Sequence, residues 1–333
     1  MVQSLVTGGT GFVGSHLVRT LVEAGHEVTV LVRETSDPYL ISGLPYTSVI
    51  GDITDFQSMD DVIPDDIDIF FHNAARMTVW GAQKRFWPQN VEGTKNALEI
   101  ARKRDIPTFV YTSTSVVYGF QDNNDPIPED CPQNAKNIYA RSKKEAEQLV
   151  WNYQKEYGMH TTAIRPPLVL GRGDEQAGPI MRDLMQNNKW FYFAGAHAPV
   201  SVAHAEDVAR CLLEAASHIQ VSNGKAYNVV SFDVVWRDFC ERLAQELGIV
   251  KKFPSIPYSM AYGLSSLSCA VYKAFNKKEP PMRVFTPFYV KLFGRGFVLD
   301  GTKAMEEIEY KPKWDLESTV KDVATCKCDY RAR

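Results

Sequence analysis

The chain places Tyr139 and Lys143 four residues apart in Tyr139-Ala-Arg-Ser-Lys143. On a helix, residues at i and i+4 share one face, a turn apart. A free phenol titrates at about 10 and is a poor acid or base at neutral pH. A neighbouring ammonium favours the phenolate and lowers that value. The tyrosine then becomes a usable proton donor or acceptor. The chain holds 15 tyrosines, so one chance match carries little weight alone, although no other tyrosine here has a lysine at i+4.

Two further runs give the pair a context. The first is Thr112-Ser113-Thr114-Ser115-Val116-Val117-Tyr118-Gly119, which follows the strand-like Thr108 to Thr112. A hydroxyl at the C-terminal end of a parallel strand opens onto the crevice where such sheets bind ligands. It can hydrogen-bond a substrate oxygen and a phenol together; as a plain Ser/Thr-rich turn it would need neither. The second run is Thr7-Gly8-Gly9-Thr10-Gly11-Phe12-Val13-Gly14, with Gly8, Gly11 and Gly14 spaced three apart. Gly8 permits a tight turn, Gly11 permits close approach of backbone N–H groups to a pyrophosphate, and Gly14 lets a helix pack on a strand. The helix N-terminus beyond offers free donors and the positive end of its dipole to phosphates. A bound nicotinamide would add its charge to that of Lys143 in favouring the Tyr139 phenolate.

The elements that must carry these residues alternate. Val2 to Val6 reads as a buried strand, and Ser15 to Ala24 as a helix ended by Gly25. Glu27 to Val32, Tyr46 to Ile50, Asp66 to His72, Thr108 to Thr112 and Thr161 to Ile164 read as further strands. Asn90 to Lys103 and Asn137 to Gly158 read as helices. Strands separated by helical stretches imply right-handed crossovers and a doubly wound parallel α/β sheet, a Rossmann fold. We expect residues 1–170 to form a dinucleotide-binding domain. Residues 171–333 should form a mainly substrate-binding part, with segments returning to the sheet. There, Ile180 to Gln186, Ala205 to Ser217 and Trp236 to Leu247 read as helices, and Ala226 to Val230 as a late strand.

Composition narrows the class. With 44% hydrophobic and 23% charged residues, the 333-residue chain is ordinary for a globular protein, and its net charge of -3 gives no signal for nucleic acid. The six cysteines, Cys131, Cys211, Cys240, Cys269, Cys326 and Cys328, lack metal-site spacing and fit free thiols in a reducing compartment. No signal peptide is read before the first strand, because Val2 already lies inside it, and no apolar run is long enough to span a membrane. A cytoplasmic location is expected. Met260, Leu264, Leu267, Val271 and Phe275 recur at helical steps over 258–275. That face can pack on its own domain, line a greasy pocket or touch a membrane peripherally.

Taken together, the motifs closely resemble the extended short-chain dehydrogenase/reductases, within the NAD-dependent epimerase/dehydratase superfamily. Thr7 to Gly14 resembles their TGxxGFxG loop, and His72-Asn73-Ala74-Ala75 their HxAA segment. Asn90 to Thr94 is similar to NVxGT, Thr112 to Gly119 to SSxxVYG, and Tyr139 to Lys143 to YxxxK. Arg165 to Gly171 is similar to RPxxVxGP. Six motifs in order span roughly the first 175 residues. The resemblance implies a catalytic set of Thr114, Tyr139 and Lys143. Thr114 would polarise the substrate oxygen, Tyr139 would transfer the proton, and Lys143 would lower the tyrosine pKa and hold the nicotinamide ribose. Ser113 and Ser115 are rival hydroxyls, and Asn90 is assigned a structural part. The implied cofactor surface comprises Gly8, Thr10, Gly11, Phe12, Val13, Gly14, Arg33, Asp52, Ile53, Ala74, Ala75, Thr112, Tyr139, Lys143, Pro166 and Val169.

Cofactor choice follows from charge. An acid at the end of the second strand would bind a ribose 2′-OH and repel a 2′-phosphate. Arg33 stands there, and its guanidinium suits a phosphate, which favours NADP(H). Glu34 follows directly and keeps NAD(H) open. Three segments resemble the 3β-hydroxysteroid dehydrogenase-like branch: Ala75 to Gly81, Glu279-Pro280-Pro281-Met282, and Phe297 to Tyr310 with Lys311-Pro312-Lys313-Trp314. Trp87-Pro88-Gln89 departs from the family pattern just before Asn90, where it bears on local helix geometry.

Trp190, Phe191, Tyr192, Phe193, Tyr258, Tyr262, Phe285, Phe288, Tyr289 and Phe293 could line an apolar pocket or build core. The expected activity is ketone–alcohol interconversion on a bulky lipophilic small molecule, such as a 3β-hydroxysteroid or β-keto acid. Two readings stand beside it: a nucleotide-sugar epimerase or dehydratase with tightly held NAD, and a non-catalytic NADP-sensing scaffold. The resemblance also implies a homodimer through the 137–158 helix.

Overall fold

A computed structural model describes residues 1–77, 83–121, 125–275 and 285–326. Thr78 to Gly81, the Glu279 to Met282 segment and Cys328 lie outside the described residues, so those parts of the resemblance have no structural counterpart here.

The front of the chain alternates β1 (Gln3–Thr7), α1 (Phe12–Glu23), β2 (Glu27–Val32), β3 (Thr47–Ile50), α2 (Phe56–Asp60), β4 (Ile69–His72), α3 (Gly93–Lys103), β5 (Thr108–Thr112), α4 (Ile138–Tyr157) and β6 (His160–Arg165). The rest of the chain supplies β7 (Leu168–Leu170), α5 (Ala177–Gln186), β8 (Tyr192–Phe193), β9 (Pro199–His204), α6 (Ala205–Ser217), α7 (Ile219–Ser222), β10 (Lys225–Asn228) and β11 (Phe232–Val235). It ends with α8 (Trp236–Glu246), β12 (Ser255–Ile256), α9 (Tyr258–Ala274), α10 (Pro287–Arg295), α11 (Thr302–Glu307) and α12 (Leu316–Thr325).

Seven strands pair in the order β10-β6-β5-β4-β1-β2-β3, all parallel. The order reverses between β1 and β4, so a crevice opens at their C-terminal ends. The two faces are legible in the strand alternation. Leu5, Phe70 and Phe109 bury against α3 and α4 residues such as Leu98, Ala101, Ala146 and Val150. Val6, Phe71 and Val110 bury against Leu17, Val18 and Leu21 of α1 and Leu212 of α6. A second, three-stranded sheet runs β11-β9-β7, and β12 pairs with β8.

Local chemistry explains the boundaries. Helix α4 is capped by Asn137, whose side chain accepts from the Ala140 N–H, and ends on Gly158 in the left-handed region at φ 70°. Helix α1 starts at Phe12, earlier than the Ser15 read from the pattern, because Gly14 belongs to the helix rather than the loop. Where Trp87-Pro88-Gln89 departs from the family pattern, Pro88–Glu92 makes a π turn before α3. Pro88 sits at its first position, where a missing N–H costs nothing.

The ten aromatics from Trp190 to Phe293 that could line a pocket belong to a core instead, and none of them lines the large cleft. Trp190, Tyr192, Phe193 and Phe293 are buried, and the other six pack partly buried against them. Trp236 stacks on Phe239 and Phe293, with ring centroids 5.1 and 4.3 Å apart.

Candidate active site

One cleft of about 470 Å³ opens at the β1/β4 crevice. At one end lies the glycine loop. Gly8 has φ +71°, and a Cβ there would meet the Ala74 backbone at 2.8 Å. A Cβ on Gly14 would stand 2.0 Å from the Gly8 carbonyl oxygen, so only glycine lets α1 close on the loop. Gly14 is the one residue of the expected cofactor surface that does not line the cleft; its part is this packing. Helix α1 begins with no side-chain cap and no acid in its first turn. Its leading N–H groups therefore face the cleft without a competing acceptor.

The walls follow from β2, β3 and β4. Arg33 and Ser36 line the cleft beyond β2, and Asp52 and Ile53 line it beyond β3. Asp52 is held through its N–H, which donates to Ser58 Oγ at 3.0 Å, and Ile53 is held through its carbonyl, which accepts from Asn96. Beyond β4, Ala74, Ala75, Arg76 and Met77 complete the wall. Asn90 fixes that loop. Its Oδ1 accepts from the Arg76 N–H at 2.7 Å, and its Nδ2 donates to the Arg76 carbonyl and to Ser142 Oγ on α4. This is a positioning arrangement, in keeping with the structural part expected of it. His72 ties the strands together through Thr7 Oγ1 at 2.8 Å and Thr94 Oγ1 at 3.1 Å. Burial pushes its pKa down to about 3, so its ring stays neutral.

At the other end stand Thr112, Thr114, Tyr139, Lys143, Pro166 and Val169. Three hydroxyls compete in sequence, and the structure separates them. Ser113 also lines the cleft, but its Oγ donates to Glu147 Oε2 at 2.5 Å, which commits the hydroxyl to the buried carboxylate. Ser115 is buried and lines no part of the cleft. Thr114 lies on the cleft beside Tyr139, and its hydroxyl pulls the phenol pKa down.

The electrostatics differ from the expectation that Lys143 lowers the Tyr139 pKa. Burial dominates and pushes Tyr139 up to about 12, against the hydrogen bond from Thr114. Burial likewise pushes Lys143 down to about 7, with the charge of Glu147 pulling it back up. The lysine is directed elsewhere. Its Nζ donates to the Thr112 carbonyl at 2.6 Å and lies 4.1 Å from the centroid of the Tyr111 ring. In this state Tyr139 is a protonated donor.

Glu147 and Arg165 form a buried base under this end, with side chains 1% and 6% exposed. Glu147 accepts from Ser113, Gln133, Trp151 and the Arg165 guanidinium. Arg165 also donates to Tyr118 Oη and to the Glu129 carbonyl. Glu147 lies one turn beyond Lys143 and two beyond Tyr139, so all three share a face of α4. The sequence reading missed Glu147, and the signal was there: an acid on the buried stripe of Tyr139, Lys143, Ala146 and Val150. It also missed Arg76, a cleft-lining residue whose pKa is lowered by burial first and then by the charges of Arg85 and Arg33.

The cleft suits a dinucleotide. Its loop presents an uncapped helix N-terminus, Thr112 Oγ1 is buried without a partner at its other end, and no acid pairs with Arg33 among the described residues. Those residues also show no cluster of metal-ligating groups.

Comparison with known proteins agrees with this architecture. A family model described as the NAD dependent epimerase/dehydratase family matches residues 4–229. A 3-beta-hydroxysteroid dehydrogenase of Mycolicibacterium neoaurum is 40% identical over 183 residues, covering 51% of this chain and 48% of the relative. The chain thus matches about half the length of that relative. A 2-alkyl-3-oxoalkanoate reductase of Stenotrophomonas maltophilia (strain K279a) is 28% identical over 294 residues, covering 84% of this chain and 87% of the relative. The crystal structure of gox2253 superposes with a TM-score of 0.81 at 26% identity, covering 97% of both chains.

Proposed function

The chain belongs to the NAD dependent epimerase/dehydratase family, and from that premise we propose that it is an NADP(H)-dependent oxidoreductase. It interconverts a ketone and a secondary alcohol on a bulky apolar substrate. The observation that carries this reading is the composition of a single cleft. The glycine loop and Arg33 line it together with Thr114, Tyr139 and Lys143. The names of the relatives, a steroid dehydrogenase and an alkyl-oxoalkanoate reductase, support the substrate class.

A reduced nicotinamide dinucleotide, when bound, supplies hydride for the carbonyl carbon. Gly8, Thr10, Gly11, Phe12 and Val13 would hold its pyrophosphate, Asp52 and Ile53 its adenine, and Arg33 a 2′-phosphate. Tyr139 gives its phenolic proton to the substrate oxygen as charge builds there. Thr114 donates a hydrogen bond to the same oxygen and keeps it within reach. Lys143, once charged and turned from the Thr112 carbonyl toward the cleft, would stabilise the phenolate left behind. Glu147 and Arg165 hold the helix and the strand end that carry these groups.

The test is a survey of NADPH and NADH oxidation at 340 nm with steroid ketones, β-keto acids and flavonoid ketones. Turnover of an apolar ketone with preference for NADPH is expected. Turnover confined to nucleotide sugars, or none with any ketone, would overturn the reading.

A further inference from the structure

Helix α9 buries its small side chains and exposes its large ones. Ala261, Ser265 and Cys269 face the core. Met260, Leu264, Leu267, Val271 and Phe275 are 50, 51, 64, 43 and 73% exposed. At 100° per residue these five fall within an arc of roughly 80°, adjoining the buried stripe but distinct from it. The periodic face seen in the sequence is therefore a solvent face, and packing on its own domain does not account for it. None of the five lines the cleft. A contiguous apolar stripe of this kind marks an interaction surface rather than scattered exposure.

Charge identifies the occupant. From Leu247 to Leu299 the chain carries eight Lys and Arg and a single acid, Glu279, although its net charge is -3. Lys251 and Lys252 stand exposed just before α9, beside a fully exposed Val250, and Lys273 lies in its last turn. Helix α10 packs on the inner side of α9, where Lys291 and Arg295 sit over the rings of Tyr262 and Tyr258 and away from the stripe. Lys251, Lys252 and Lys273 thus make both ends of the stripe positive. A second copy laid along it, parallel or antiparallel, would set lysine against lysine. A surface that is apolar beneath and anionic above meets both features at once.

We propose that α9 seats the protein on anionic lipid, lying in the interface with its stripe among the acyl chains and its lysines among the headgroups. Among the described residues no helix is long and apolar enough to cross a membrane, so the contact is peripheral. The proposal is independent of the chemistry assigned to the cleft.

The test uses the full chain and vesicles of phosphatidylcholine, with or without one quarter phosphatidylglycerol, in co-sedimentation. Binding is expected to the anionic vesicles and to weaken as salt rises from low to near-molar. Leu264→Ser with Leu267→Ser should reduce partitioning at least tenfold while leaving the far-ultraviolet dichroism intact, since both side chains are exposed. Lys251→Glu with Lys252→Glu should remove the preference for phosphatidylglycerol. Two results would overturn the proposal. One is absence of binding, or binding unchanged by these variants. The other is a concentration-dependent dimer in sedimentation velocity that the serine variant abolishes, which would assign the face to a second copy.

Discussion

Replacing Glu147 by Gln tests whether the buried base supports the cleft. The substitution keeps shape but removes the charge opposite Arg165, and both side chains are almost fully enclosed. Breaking a buried pair by neutralising one partner leaves the other charge uncompensated and costs about 3–5 kcal/mol. Arg165 keeps its bonds to Tyr118 and the Glu129 carbonyl, which places the expectation nearer the lower bound. For domains of this order each kcal/mol lowers Tm by roughly 2–4 °C, so a fall of at least about 6 °C is expected in a thermal melt. Glu145→Gln, on the exposed side of the same helix, should stay within about 0.5 kcal/mol of the parent. A second readout separates positioning from mere stability. Glu147 raises the Lys143 pKa, so its loss should move the Lys143 limb of the kcat/KM pH profile further down from about 7. A Glu147→Gln protein as stable as the Glu145→Gln control, with an unmoved profile, would refute the reasoning.

Arg33→Ala should raise KM for NADPH roughly 10–100-fold, the equivalent of losing charge-assisted bonds of about 1.5–3 kcal/mol, and leave KM for NADH within about twofold; equal losses for both would show that Arg33 does not bind a 2′-phosphate. Lys143 has its pKa lowered to about 7 in the native state from 10.5. Between these values the unfolded chain holds the proton and the native chain does not, so this group makes stability rise with pH. Lys143→Met removes the titration, and its Tm relative to the parent should be most favourable below pH 7 and decline toward pH 10; a flat or growing difference would contradict the burial argument.

The sheet was readable because its signals are local. Short apolar runs separated by helical stretches leave few alternatives once crossovers are right-handed, and the exact β5 span Thr108–Thr112 follows from such a run. The cleft was readable for the same reason: glycine spacing and the Tyr139–Lys143 pair each encode a turn or a face. What escaped was set by tertiary contact. Whether Lys143 or burial governs Tyr139 depends on where the ammonium points, and the Thr112 carbonyl with the Tyr111 ring decides that from another strand. The choice of Thr114 over Ser113 rests on Glu147, 34 residues from Ser113. Strands β7, β9 and β11 went unread because each is defined by pairing within a small second sheet rather than by a strong apolar run. The α9 periodicity was visible, but period alone does not tell which face meets the core.

The central claim, that Tyr139 donates the proton in carbonyl reduction, is tested most directly by single-turnover hydride transfer in Tyr139→Phe, followed at 340 nm with a ketone that the parent reduces. The account predicts NADPH binding within about twofold of the parent, because the ring and its packing remain, and hydride transfer slowed by about 10²–10⁴-fold. Transfer at the parent rate with NADPH fully bound would contradict it.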